Sequence, residues 1–339
     1  MSTAKKLLVC FLLLFCFQTA VAEWRKEKSN TLAWLRDVYF LNEKTGWIAG
    51  SGGTFLETRD GGNSWRQNEK FTADAVLQVY FADERAGWLL CERDVYNLGA
   101  NMPSYVLRTR DGGANWEKLE FAERGRERIV KLLFDRKGAV ITAFGEGGAF
   151  FTLNQDGKTW KKTASFIKYL LLDGMFSSEA SGAVVGAGGT VLFTENGGAS
   201  WDKASIFGDK EAKLRSVFFI NQKTGWSVGA SGVILQTLSG GKTWREQKSG
   251  TTKDLNDVFF INTAEGFAVG DEGVILQTTT AGNVWNPVVS PARHRLEKVF
   301  FTGKKGFAVG FGGTILRYNE AVKSTPKETK PLLRTIAAN

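Results

Sequence analysis

Apolar positions recur in a fixed order along most of this chain. Short runs end in phenylalanine: Asp37-Val38-Tyr39-Phe40, Val79-Tyr80-Phe81, Leu132-Leu133-Phe134, Gly174-Met175-Phe176, Val217-Phe218-Phe219, Val258-Phe259-Phe260 and Val299-Phe300-Phe301. The closing Phe returns after 41, 53, 42, 43, 41 and 41 residues. Self-similarity at such a period marks a repeat architecture. The order inside each copy is constant too. Val258–Ile261 is followed by the polar turn 262–266, then Phe267-Ala268-Val269-Gly270, a tight turn at Gly273, the run Val274–Thr278, and a glycine-centred turn leading to Trp285. Period-two alternation between turn signals predicts four short strands, A to D, per copy. Four strands in about 40–45 residues is the signature of a propeller blade. The expected fold is all-β, a seven-bladed β-propeller over 23–320. Each blade hides its apolar faces against the next, so none is stable alone.

The seventh copy lacks its outer strand, because the repeat stops after Tyr318. A match lies at the other end. Trp24-Arg25-Lys26-Glu27-Lys28-Ser29 mirrors Trp244-Arg245-Glu246-Gln247-Lys248-Ser249, and Trp24 precedes Phe40 by the same 16 residues that separate Trp244 from Phe260. The N-terminal strand is therefore expected to complete the last blade and cap its edge.

The C–D turn reads Thr58-x-Asp60-x-Gly62-x-Ser64-Trp65, then Thr109-x-Asp111-x-Gly113-x-Asn115-Trp116. It resembles the Asp-box, the bacterial neuraminidase repeat. Asp and Ser/Thr side chains satisfy a tight turn, Gly takes the conformation other residues resist, and Trp buries its ring. In copies three to six the Asp position holds Gln155, Asn196, Ser239 and Thr280, while Gly and Trp persist. A side chain kept in two copies of seven is architectural, not catalytic. Asp-box glycosidases also resemble one another in an Arg-Ile-Pro motif and six blades. None of the five prolines here follows Arg-Ile, and the copies number seven. Without a Ser/His/Asp set, a Cys cluster or a phosphate loop, no catalytic residue and no cofactor is expected. His294 is the sole histidine, so no metal site is expected either.

Residues 1–22 read as a signal peptide. Lys5 and Lys6 precede the apolar run Leu7–Phe17, and Ala20-Val21-Ala22 supplies a small-x-small cleavage site. That run is too short for a permanent anchor, so no membrane anchor is expected after cleavage. Cys10 and Cys16 would leave with it, and Cys91 alone would remain. The tail 321–339 is polar, holds Pro326 and Pro331, and is expected to be disordered. Of the 44 Lys and Arg, two lie in the leader, and 35 Asp and Glu oppose them. The resulting basic excess suits an acidic partner or anionic surface without naming one.

Blade topology places A–B and C–D turns on one face, the back, and B–C and D–A loops on the other, the front. The longest copy carries its extra residues in a B–C insertion, Cys91–Ser104, on the front. Long insertions in repeat arrays gather on the binding face. Arg93 lies in this insertion. The D–A loops add Arg36, then Arg124, Arg126, Arg128 and Lys131, then Lys213 and Arg215, then Arg293 and Arg295. These ten residues are the candidate partner-binding set, able to grip carboxylates through forked contacts. Ordinary solvated charge is the alternative, since Glu123, Glu127, Asp209, Glu211 and Glu297 lie among them.

The repeat body Thr224–Trp244 and the start Asp257-Val258-Phe259-Phe260-Ile261-Asn262 resemble the photosystem II assembly and stability factor family. The likeness spans Glu23 to about Tyr318. It implies a non-enzymatic seven-bladed propeller that binds a newly made membrane-protein client, with a basic patch as docking surface. It implies no nucleic acid among the partners, and a monomer. The bacterial-type leader places such a protein in the periplasm or outside the cell, or in the thylakoid lumen of a photosynthetic source. The alternative is a periplasmic interaction propeller serving an envelope or transport complex of a non-photosynthetic bacterium.

Overall fold

The computed structural model describes residues 23–319 apart from 95, 97–101, 122–126, 136, 164–166 and 210. The expected signal peptide 1–22, the tail 321–339, Arg124 and Arg126 lie outside the described residues. Seven sheets, antiparallel apart from one added strand, are arranged as blades. The inner strands are Leu35–Phe40, Ala75–Phe81, Ile129–Phe134, Leu171–Phe176, Leu214–Phe219, Leu255–Phe260 and Leu296–Thr302. The ring closes as the repeat implied. Glu23–Glu27 lies antiparallel to Thr314–Asn319, with Trp24 opposite Tyr318, and forms the outer strand of blade seven. Blade five gains an unforeseen strand. Ser205–Phe207 runs parallel to Thr243–Gln247 and covers that blade's outer edge. Phe207 there lies under the Arg245 guanidinium.

The hydrophobic core is divided among the blade interfaces. Among the described residues, each buried cluster joins two neighbouring blades. The Trp after each C–D turn packs on the preceding blade: Trp65 meets Phe307 edge-on at 6.0 Å, and Trp24 meets Phe267 at 5.8 Å. In blades one, two, six and seven the strand-A Phe stacks on the strand-B aromatic of the preceding blade, as Phe81 does on Trp47 at 3.8 Å and Phe260 on Trp226 at 3.4 Å. The same Phe covers the first residue of its own strand B. A Cβ at Gly46 would sit 2.6 Å from the Phe40 ring, so that position must be glycine.

The boxes hold the back turns. Thr58 Oγ1 donates to Asp60 Oδ1, and Asp60 accepts from Ser64 N and Ser64 Oγ. Thr109, Asp111 and Asn115 repeat this in blade two. Blade three keeps a displaced box. Asp156, one residue after Gln155, accepts from Thr159 N and Thr159 Oγ1. Hydrogen bonds from Ser64, Asn115 and Thr159 respectively hold Asp60, Asp111 and Asp156 down at about 2. Their folded pKa lies below the unfolded value. Their contribution is therefore present above about pH 4 and is lost as pH falls through about 2. Replacing the three with Asn should flatten the acid decline of the melting temperature; equal declines in variant and parent would refute this.

Candidate binding face and central channel

Every inner strand carries a β-bulge near its front end. The register with strand B shifts between Leu35 and Asp37, Val76 and Gln78, Ile129 and Lys131, Leu171 and Asp173, Leu214 and Ser216, Leu255 and Asp257, and Leu296 and Lys298. Strict alternation would point Arg36 away from the channel if Asp37 points in. The bulge re-aims one residue per blade, so both face it. The channel consequently has three layers. Its front mouth is formed by the bulged residues Arg36, Leu77, Val130, Leu172, Arg215, Asn256 and Glu297, around a cavity of about 230 Å³. Next comes a polar ring of Asp37, Gln78, Lys131, Asp173, Ser216, Asp257 and Lys298. Behind it Tyr39, Tyr80, Phe134, Met175, Phe218, Phe259 and Phe300 surround a cavity of about 400 Å³.

The polar ring stitches blade to blade. Asp37 Oδ2 accepts from Val79 N, Asp173 Oδ2 from Val217 N, and Asp257 Oδ2 from Val299 N. Gln78 both accepts from Leu132 N and donates to Leu132 O. Ser216 Oγ lies 2.9 Å from Asp173 and 2.6 Å from Asp257. Lys131 pairs with Asp173 at 2.8 Å, and Lys298 with Asp257 at 2.9 Å. Burial works against every charge here, yet the partners decide the sign in two cases. Burial would raise Asp173, but Lys131 and Lys298 leave it lowered. Burial would lower Lys298, but Asp257, Asp173 and Asp37 leave it raised. Among the described residues Asp37 forms no ion pair within 4 Å, and burial pushes its carboxyl up to about 6, against the pull of Lys298 and Lys131.

The sequence-predicted cations divide among these layers. Arg36 and Arg215 stand in the mouth, Arg215 paired with Asp254 at 2.5 Å and Arg36 at 3.5 Å from Glu297. Arg295 bridges Asp271 and Glu297. Arg128 bridges Glu92 and Glu146. Burial lowers Lys213, and the charges of Arg215, Arg295 and Arg128 act in the same direction. Arg293 is exposed on the same face. Three expectations require correction. Lys131 does not lie on the front surface but inside the channel, because it occupies the ring position of strand A. Arg93 is 7% exposed and anchors the insertion instead, through Met102 O, Glu120 and the Tyr105 ring. The insertion itself is shorter than its expected bounds, because Cys91 and Glu92 complete strand B and Ser104 begins strand C. Cys91 is fully buried between blades one and two, and burial pushes its thiol up to about 12, which makes it a packing residue.

The front also carries apolar residues that strand periodicity could not flag. Leu32, Tyr96, Tyr169, Val289 and Phe311 are all exposed in its B–C and D–A loops. Phe311 sits between His294 and Trp34, at 5.9 and 5.7 Å, and the Arg36 guanidinium lies 3.5 Å over the Trp34 ring. Among the described residues Trp34 Nε1, Arg36 Nε and Arg215 Nε are buried donors with no acceptor, as are the Nε1 atoms of Trp24, Trp65, Trp116 and Trp160 and Nε of Arg108 away from the mouth. A positive, partly apolar mouth with spare donors is suited to binding carboxylate or carbonyl oxygens.

The model of one protein family, photosynthesis system II assembly factor YCF48, matches residues 17–166 and 154–249. The chain belongs to the YCF48 family. Solved YCF48 structures share its fold. YCF48 from Cyanidioschyzon merolae superposes with a TM-score of 0.70 at 19% identity, covering 88% of this chain and 99% of that one. A YCF48 bound to D1 peptide gives 0.70 at 22% identity, covering 90% and 99%. Virginiamycin B lyase from Staphylococcus aureus reaches 0.71 at 11% identity, covering 88% and 99%, a likeness of fold alone. A search of curated proteins finds no match.

Proposed function

We infer that this YCF48-family chain is an exported assembly factor that holds an acidic segment of a membrane-protein client at its front mouth. The observation that carries the reading is the cationic and aromatic make-up of the mouth, where Arg36 stacks on Trp34 and lines the opening with Arg215 and Arg295. Guanidinium groups beside an aromatic ring suit carboxylate oxygens and the apolar stem that carries them. A solved relative bound to D1 peptide supports a peptide as ligand. The leader supports action in the periplasm or, in a photosynthetic cell, the thylakoid lumen. The protein acts here as a binding module, working as a monomer.

Replacing Arg36 and Arg215 by Glu should weaken capture of the client from solubilised membranes by more than about tenfold and reduce its salt dependence. Unchanged capture by a variant that melts as the parent does would overturn the reading. The captured protein also separates the two settings: a reaction-centre subunit supports a photosystem client, and a transporter or envelope subunit supports the other.

A further inference from the structure

The polar ring separates the back half of the channel from the front mouth. Its wall is a nearly continuous aromatic collar. Phe218 contacts Phe259 at 4.7 Å, Phe259 contacts Phe300 at 5.3 Å, Phe300 contacts Tyr39 at 5.6 Å, Tyr39 contacts Tyr80 at 5.0 Å, and Tyr80 stacks on Phe134 at 3.9 Å. The ring that forms its floor holds three carboxylates and two ammonium groups, so one negative charge is uncompensated. Lys131 contacts Asp173 and Lys298 contacts Asp257, so among the described residues Asp37 is the ring acid with no ion pair within 4 Å; its oxygens accept from Val38 N and Val79 N, and the two lysines act on it from a greater distance. Asp37 is 7% exposed and lies on the same strand as Tyr39, next to Tyr80 of blade two. Asp135 adds a further carboxylate to the lining. Among the described residues no group of His, Cys, Asp and Glu is suited to a metal ion, and the interleaved lysines would repel one.

An aromatic wall around an uncompensated buried acid is the chemistry that recognises an organic cation, through ring quadrupoles and one charge pair. We propose that the back of the channel binds an alkyl guanidinium or alkyl ammonium group, its charge on Asp37 and its body against Tyr39, Tyr80 and Phe300. The cavity of about 400 Å³ holds a side-chain-sized group. Such a group can come from a free amine or from a basic peptide side chain. This chain supplies one source itself. It leaves the described residues at Asn319, at the back end of strand C, and residues 320–339 include Lys327, Lys330 and Arg334.

The test uses butylguanidinium, with the neutral isostere butylurea as control, on the exported chain labelled at its methionine methyl groups. After residue 22 there are two methionines: Met175 lines the cavity, and Met102 is buried in the blade-two insertion as an internal control. Butylguanidinium should shift Met175 saturably in the millimolar range while Met102 stays fixed, and butylurea should bind at least about tenfold more weakly. Asp37→Asn, close in shape, should lose at least about tenfold in affinity. Tyr80→Leu leaves the ring intact, should also weaken binding, and decides the matter if Asp37→Asn does not fold. A Met175 signal that does not respond, or responds equally to the urea, overturns the proposal, as does undiminished affinity in Tyr80→Leu. Truncation after Asn319 distinguishes the sources. Tighter binding there assigns the site to a basic residue of 320–339, and equal binding assigns it to a cation from outside.

Discussion

Deleting Glu23–Ser29 is expected to lower the melting temperature by on the order of 10 °C, whereas removing 323–339 should leave it nearly unchanged. The deleted strand pairs along its length with Ile315–Asn319, and its Trp24 is 4% exposed. The Trp24 ring touches Phe267 of blade six and Phe301 and Tyr318 of blade seven. Its loss alone should cost about 3–5 kcal/mol, the usual range for a large buried aromatic. The deletion also uncovers the third strand of blade seven as an open edge, which promotes association between chains. Trp24→Ala isolates the first effect and should account for much of the fall. Equal melting temperatures for the two truncations would show that the ring does not depend on this closure.

Asp257→Ala should be the most destabilising substitution in the channel, by about 3–5 kcal/mol. Asp257 is 2% exposed, and three donors converge on it: Ser216 Oγ, Lys298 Nζ and Val299 N. Removing the carboxylate takes the contact partner from the Lys298 ammonium and the acceptor from the buried Val299 amide. Lys298→Met should cost less, since Asp257 keeps two donors. If the pair is coupled, the double variant should be less destabilised than the two losses added together, by at least about 1 kcal/mol. Denaturant unfolding of the four proteins measures this, and strict additivity would mean the pair contributes nothing beyond its separate parts.

The ring was legible in the sequence at one remove. Three residues before each closing Phe stand Asp37, Gln78, Lys131, Asp173, Ser216, Asp257 and Lys298. Polar residues at one register of apolar strands signal an inward-facing ring, although charge clustering in the D–A loops drew Lys131 into the surface set instead. One position before each Phe, the collar is equally visible except in blade three. There a second register shift falls between Leu133 and Phe134. Leu133 goes to the interface with blade four, and Phe134 takes the collar position on Tyr80. Arg93 could not have been placed from sequence. Its burial depends on Met102 O and Glu120, which chain separation alone does not bring near it.

The sequence by itself determined the repeat, the blade count, the closing strand and the back turns, because each rests on spacing and turn chemistry within about one blade length. Tertiary structure decided which way the decisive side chains point. A bulge exists only between two paired strands, so the register that turns Arg36 and Arg215 toward the mouth is a property of the sheet. Likewise, that Asp37 is the ring acid outside the ion pairs depends on which neighbouring blade each of the two lysines reaches.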